Sequence, residues 1–232
     1  QQDASSRLGF NSKHTMAIAQ KLYEAGAITY MRTDSVNLSK EALNGCKKYI
    51  EKTYGENYYK FRTYNKKGKN AQEAHEAIRP TKIEVDNFPK LGNDCQKLYS
   101  LIWKRTVASQ MEEAKIKIQT IYVDISKKDI SILPENSFYV TNYETILFDG
   151  FLVLYNNYES DNEKGLMEIK KNDIFNFDNV KVSEEYTKPP LRYNESSLIK
   201  TLEKNGIGRP STYASIMSKI IERNYVEYKN VE

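Results

Sequence analysis

Tyr30 lies in the run Ala27-Ile28-Thr29-Tyr30-Met31-Arg32-Thr33-Asp34-Ser35, with an arginine two residues beyond the phenol. A phenol can serve as a nucleophile and a guanidinium is a permanent cation. If the segment is extended, period-two alternation puts Ile28, Tyr30 and Arg32 on one face, so a phosphodiester could be attacked and neutralised there. The competing reading of so short a motif is a tyrosine packed by its ring beside a surface arginine. A phenol of ordinary pKa near ~10 is also a poor nucleophile at neutral pH, so another group must take its proton or stabilise the phenolate. Nothing adjacent to Tyr30 does this alone, and the assistance has to come from elsewhere.

Two further stretches carry groups suited to phosphate. In Glu73-Ala74-His75-Glu76-Ala77-Ile78-Arg79-Pro80, His75 and Arg79 are four residues apart and share one face if the segment is helical. The imidazole can then donate a hydrogen bond or a proton beside a fixed charge. A solvated helical turn with Arg79 paired to a glutamate is the alternative. In Gly206-Ile207-Gly208-Arg209-Pro210-Ser211-Thr212-Tyr213, the glycines allow close approach of the backbone. A helix starting at Pro210 would add unpaired N–H groups to the Ser211 and Thr212 hydroxyls and the Arg209 cation, which makes an anion site. Against this, the two hydroxyls could merely satisfy local backbone donors.

Several chemistries have no residues to support them. There is no Asp-x-Asp pair, no Gly-Lys-Ser/Thr phosphate loop and no His-x-x-x-His array. Cys46 and Cys95 are far apart without CxxC spacing, which leaves zinc unsupported and favours a reducing compartment. No metal ligands are assigned within the chain. No apolar run approaches the ~20 residues that span a bilayer, no signal peptide precedes Gln1, and no membrane partner is expected. The 35 basic and 31 acidic side chains leave a net charge of +4, only mildly attractive to polyanions, so nucleic-acid binding must rest on local sites. The 18 tyrosines, against 8 phenylalanines and 1 tryptophan, are read mostly as compositional bias.

These groups need elements to hold them. Ser12 is expected to cap a helix running to about Ala25, with Met16, Ala19, Leu22 and Tyr23 inward and Gly26 in the left-handed terminal position. That helix delivers the chain directly into a short strand at Ile28 to Met31. Ser39 starts the next helix, with Ala42, Leu43, Cys46 and Ile50 inward and Gly55 past its end. Residues 56–70, with Lys66-Lys67-Gly68-Lys69, read as an exposed loop. Ala71 to Ile78 reads as a short helix ended by Pro80, and Asn93 to Glu113 as a longer one. From Lys115 to Tyr186 the pattern alternates, with turns at Asp149-Gly150 and Asp161-Asn162, the signature of strands and hairpins. After Pro189-Pro190, helices are expected from Asn194 to Lys204 and from Pro210 to about Arg223. The fold class is therefore α+β and multidomain, and at 232 residues the chain is long enough for one large or two small domains.

Four stretches taken together resemble the bacterial-type type IA DNA topoisomerases, in the topoisomerase I branch. They are Gln1 through Phe10 (QQDASSRLGF), Ile28 through Ser35, Ala71 through Thr81, and Pro189-Pro190 followed by Glu203 through Ala214. Their order matches too, and the resemblance spans essentially the whole chain.

The resemblance implies roles for residues already singled out. Tyr30 would attack a DNA phosphodiester and become linked to the 5′-phosphate, with Arg32 on the scissile phosphate and His75 close by. Arg209, Ser211 and Thr212 would grip the incoming single strand, with Arg79 as a further DNA contact. It also implies residues 1–115 as the helical tyrosine-bearing domain, 116–188 as a β-rich arch and hinge, and 189–232 as part of a helical strand-binding domain. Mg2+ would be held by a Toprim domain expected before Gln1, so that this stretch alone would not cleave DNA. The expected substrate is a single-stranded segment of negatively supercoiled DNA, relaxed without ATP by a monomer in the cytoplasm, associated with the nucleoid, or in an organelle. A helix-turn-helix module reading duplex DNA is the alternative for the last two helices.

Overall fold

The computed structural model describes residues 1–64, 76–124, 138–155, 168–176, 179, 181 and 183–229. It divides into two compact units, one made of Gln1–Glu112 with Pro190–Glu232 and the other of Glu113–Pro189. The two stretches that read as separate helical segments thus pack together.

Among its described residues the first unit holds six α-helices: α1 (Gln2–Leu8), α2 (Ser12–Glu24), α3 (Lys40–Thr53), α4 (Asn93–Ala108), α5 (Glu195–Lys204) and α6 (Tyr213–Glu222). Asn11, rather than Ser12, caps α2, because its side chain accepts the His14 N–H. Ser12 is buried and turned elsewhere: its N–H and hydroxyl both donate to Glu195 Oε2 at 2.7 Å, which ties the start of α2 to the first turn of α5. Ser39 caps α3 by accepting the Ala42 N–H, as expected of a serine before a helical period. Asn194 and Ser197 form a reciprocal capping box at α5.

The core lies where α2, α3 and α4 present their apolar residues. Ile18, Ala19 and Leu22 of α2, Ala42, Cys46 and Ile50 of α3, and Leu98, Trp103 and Val107 of α4 are buried. Burial of a Leu or Ile side chain of this kind contributes roughly 1.5–3 kcal/mol each. Tyr23, expected inward, is instead exposed on the outer side of α2. Helix α4 stops at Ala108, five residues before the expected Glu113, and Met111 leaves it to pair with Tyr59 in an isolated bridge. A smaller cluster of Ile199, Tyr213 and Met217, flanked by Leu198, Leu202 and Ile220, joins α5 to α6. These two helices contact α1 and α2 respectively.

The second unit, among its described residues, holds one antiparallel hairpin of β1 (Lys115–Asp124) and β2 (Phe138–Phe148). Its register pairs Ile116 with Ile146 and Tyr122 with Val140, with an irregularity after Lys115. Asp149 precedes a short 3-10 helix at Gly150–Leu154. The turn expected at Asp161-Asn162 lies outside the described residues, as does the basic run at 66–69.

Candidate nucleic-acid site around Tyr30

The Tyr30 segment is held by a short piece of chain far away in sequence. At the end of α2 the Gly26 and Ala27 N–H groups return to the carbonyls of Tyr23 and Leu22, with Gly26 at φ +68°. The chain then meets residues 77–81 in antiparallel fashion. Ile28 bridges Pro80, the Thr29 N–H donates to the Arg79 carbonyl at 2.9 Å, and the Thr81 N–H donates to the Ala27 carbonyl at 3.0 Å. Thr29 completes the pairing with its side chain, which donates to the Ala77 carbonyl at 2.8 Å and accepts the Arg79 N–H at 2.9 Å.

This pairing replaces the expected strand. Only Ile28 sits in a bridge, and the backbone bends at Met31 and Arg32. Ile28 and Met31 are 1% and 3% exposed and plug the segment into the core, while Tyr30 and Arg32 are exposed. The period-two expectation therefore fails for Ile28, which takes the face opposite to the one predicted. The bend has a clear cause: burying both Ile28 and Met31, three residues apart, is incompatible with strict alternation. Tyr30 is 41% exposed, and its ring stands edge-on to Tyr23 with centroids 5.1 Å apart. Among the described residues neither its hydroxyl nor the Arg32 guanidinium has a hydrogen-bond or ion-pair partner.

Arg79 has the opposite environment. It is 8% exposed and its guanidinium meets Glu76 with two bonds, Nε to Oε1 at 2.6 Å and Nη2 to Oε2 at 3.0 Å. A further bond runs from Nη1 to the Pro80 carbonyl, and Nη2 reaches the Ser39 hydroxyl. The Ser39 N–H also donates to Glu76 Oε1 at 2.7 Å. Burial pushes the Glu76 carboxyl up, but the hydrogen bonds from Arg79 and Ser39 and the nearby positive charge outweigh it and hold it below its ordinary range. Residues 76–79 are not helical, since the Ala77 N–H is given to the Asn37 carbonyl. The shared helical face expected for His75 and Arg79 is thus absent from the part described, and His75 itself lies outside the described residues.

At the second cluster, helix α6 begins at Tyr213, not at Pro210. Residues 209–212 form a turn instead, in which the Thr212 hydroxyl accepts the Arg209 N–H at 2.8 Å and returns a bond to the Arg209 carbonyl. Arg209 is exposed, with Nη1 on the Gly208 carbonyl, and Ser211 is exposed beside it. Tyr213 is buried under Gly208. Burial raises its phenol pKa, Glu203 adds to the shift, Arg209 opposes it, and Asp34 adds a smaller push.

The sequence does not reveal the part that Thr29, Ser39 and Glu76 play in fixing the Tyr30 turn, or the contact of Tyr23 with the Tyr30 ring. A threonine whose hydroxyl joins two distant segments leaves no local pattern, and Glu76 was visible only as the glutamate of the competing reading of Arg79. Among the described residues, no three His, Cys, Asp or Glu side chains gather where a metal ion could be held. No helix among them is long and apolar enough to cross a membrane.

The arrangement of helices and a two-stranded sheet is shared with a solved protein. The full-length topoisomerase I from Thermotoga maritima superposes with a TM-score of 0.74 at 33% identity, covering 99% of this chain and 38% of that one. The class is therefore that of a mixed helix-and-sheet piece of a topoisomerase I fold. The prokaryotic-type DNA topoisomerase 1 of Acanthamoeba polyphaga mimivirus is 42% identical over 246 residues, covering 100% of this chain and 28% of that protein. DNA topoisomerase 1 of Rickettsia felis is 45% identical over 245 residues, covering 97% and 30%. A family model described as DNA topoisomerase matches residues 1–232, and the chain belongs to that family, in its bacterial topoisomerase I branch. It spans less than a third of the length of these two relatives. The helix-turn-helix alternative is not favoured.

Proposed function

We propose that this chain supplies the nucleophile and part of the strand-binding surface of a type IA DNA topoisomerase. The observation that carries the reading is the exposure of Tyr30 and Arg32 together on a turn whose backbone is fixed by Thr29 and residues 77–81. The Tyr30 phenol oxygen attacks the phosphorus of a single-stranded segment and forms a tyrosyl ester with the 5′-phosphate. The 3′-hydroxyl leaves with a proton, and the reverse attack by that hydroxyl reseals the strand after another has passed. Ester exchange conserves the diester's energy, so no ATP is consumed. Arg32 neutralises the phosphate, with His75 adjacent to it.

Arg209 and Ser211 contact the incoming strand, and Thr212 shapes the turn that presents them. Arg79 positions the Tyr30 turn, because its guanidinium is committed to Glu76 and Ser39. Residues 1–115, 116–188 and 189–232 take the roles of tyrosine domain, arch with hinge, and strand-binding piece. Mg2+, which would stabilise charge on the transferring phosphates, would be held by other parts of the enzyme. Negatively supercoiled DNA is the natural substrate, as it yields single-stranded segments to a monomeric enzyme in the cytoplasm or at the nucleoid.

The test is covalent trapping of a labelled single-stranded oligonucleotide by a polypeptide of the relatives' full length in the presence of Mg2+. The expected outcome is an adduct in the parent and none in Tyr30→Phe, with oligonucleotide binding retained. The 232 residues alone should bind the oligonucleotide weakly, with strong salt dependence, and form no adduct. An adduct that survives Tyr30→Phe removes Tyr30 from its role.

A further inference from the structure

The ring contact between Tyr23 and Tyr30 has no part in the core. Leu22, Ala19 and Ile18 face inward from α2, while Tyr23 and Tyr30 are each 41% exposed. Both backbones beneath the contact are fixed. The Tyr23 carbonyl accepts the Gly26 N–H at 2.8 Å, and Thr29 is bound to Ala77 and Arg79 on the other side. Only the two side chains retain rotational freedom. An exposed tyrosine on a fixed backbone ordinarily samples several staggered rotamers, most of which would aim its oxygen away from any one substrate phosphorus.

We propose that Tyr23 is a positioning residue for Tyr30, its ring narrowing the directions in which the Tyr30 phenol can point. The inference rests on the reading of Tyr30 as nucleophile. The rings meet at 61° with centroids 5.1 Å apart, an edge-to-face arrangement in the favoured range for aromatic pairs. Pairs of this kind bias a rotamer population by about two- to tenfold. Among the described residues the Tyr23 hydroxyl makes no hydrogen bond, so the ring and not the hydroxyl carries the effect. A nucleophile whose backbone is rigid and whose side chain is confined by one neighbouring ring has lost most of its orientational freedom before DNA arrives.

The experiment uses the full-length polypeptide and a labelled single-stranded oligonucleotide with Mg2+. Tyr23→Leu should slow adduct formation about fivefold while oligonucleotide affinity and thermal unfolding stay at parental values. Tyr23→Phe and Tyr23→Trp should restore the rate. In spectra of ring-labelled tyrosine, the Tyr30 resonances should move in Tyr23→Leu and stay in place in Tyr23→Phe. A parental rate in Tyr23→Leu, or Tyr30 resonances unmoved by it, overturns the proposal. So does a slow Tyr23→Phe, which would give the effect to the hydroxyl. Adduct persisting in Tyr30→Phe would instead defeat the nucleophile reading, and the spectra would still decide whether Tyr23 orders Tyr30.

Discussion

The turn that carries Tyr30 and the turn that leads into α6 share a composition of glycine, threonine and arginine, yet they use their polar groups in opposite ways. Around Tyr30 the threonine faces distant partners, Ala77 and Arg79, and Arg79 ties both to its near neighbour Glu76 and to the distant Ser39. Before α6, the Thr212 hydroxyl bonds only within its own turn, to the Arg209 N–H and carbonyl. The first turn is held mainly by long-range contacts that leave Tyr30 and Arg32 outside, and the second mainly by local bonds, joined by one long-range bond from the Gln1 side chain to the Pro210 carbonyl at 2.9 Å, that leave Arg209 and Ser211 outside. A nucleophile demands orientation fixed from several directions, whereas a surface that grips a flexible strand needs charge and accessible donors.

The two arginines of the Tyr30 region give the sharpest test of this contrast. Arg79→Ala leaves the half-buried Glu76 on the Ser39 N–H without its cation and strips the Pro80 carbonyl of a donor. A loss of about 2–3 kcal/mol in stability by urea unfolding is expected. Arg32→Ala should change stability by no more than about 0.5 kcal/mol. Its cost should fall on adduct formation instead. Equal destabilisation by both substitutions would mean that Arg32 is a structural group and that the division drawn here is mistaken.

A smaller effect follows from the Glu76 carboxyl, whose folded pKa lies below the ordinary value of 4.5. A depressed carboxyl contributes stability that is fully present above its unfolded pKa and is lost as the pH falls through the folded value. Urea midpoints measured downward from pH 6 should therefore decline below about pH 4.5, taking the anchor of the Tyr30 turn with them. Glu76→Gln should be less stable by about 2 kcal/mol at pH 6 and approach the parent in acid. Parallel curves for the two proteins would show that this carboxyl contributes nothing to the acid limb.

Much of this was legible in the residues themselves. Ser39 and Asn194 cap helices as their types and positions require, and Gly26 takes the left-handed conformation expected after α2. Local chemistry decides such features. The Tyr30 strand was misread because its pattern of burial depends on Pro80, fifty residues away, and on Met31 entering a core that no window around Tyr30 contains. The commitment of Arg79 to Ser39 is illegible for a similar reason, since it depends on a partner forty residues away. Pro210 is compatible with a helix start, but the Thr212 hydroxyl captures the Arg209 N–H and makes a turn first. Tyr23 has helical spacing for the core and faces outward because Leu22 already fills that position.

Glycine substitutions resolve the comparison at its finest level. Gly26 and Gly208 both have positive φ, +68° and +80°, so an alanine is strained at either. They differ in what surrounds them. A Cβ at Gly26 would meet nothing within 4 Å, whereas one at Gly208 would come within 3.0 Å of Ile216 Cδ1 and of the Tyr213 ring. Gly26→Ala should therefore lose about 1 kcal/mol from backbone strain alone. Gly208→Ala should lose more, about 1.5–2 kcal/mol, because the buried Tyr213 ring must also shift. The functional consequences run the other way. Gly26 lies between Tyr23 and Tyr30, so strain there should slow adduct formation, while Gly208→Ala should weaken oligonucleotide binding through the displaced Arg209 turn. If Gly208→Ala slows the chemistry with binding intact, the α6 turn orients the reacting groups as much as the Tyr30 turn does, and the two regions cease to differ in kind.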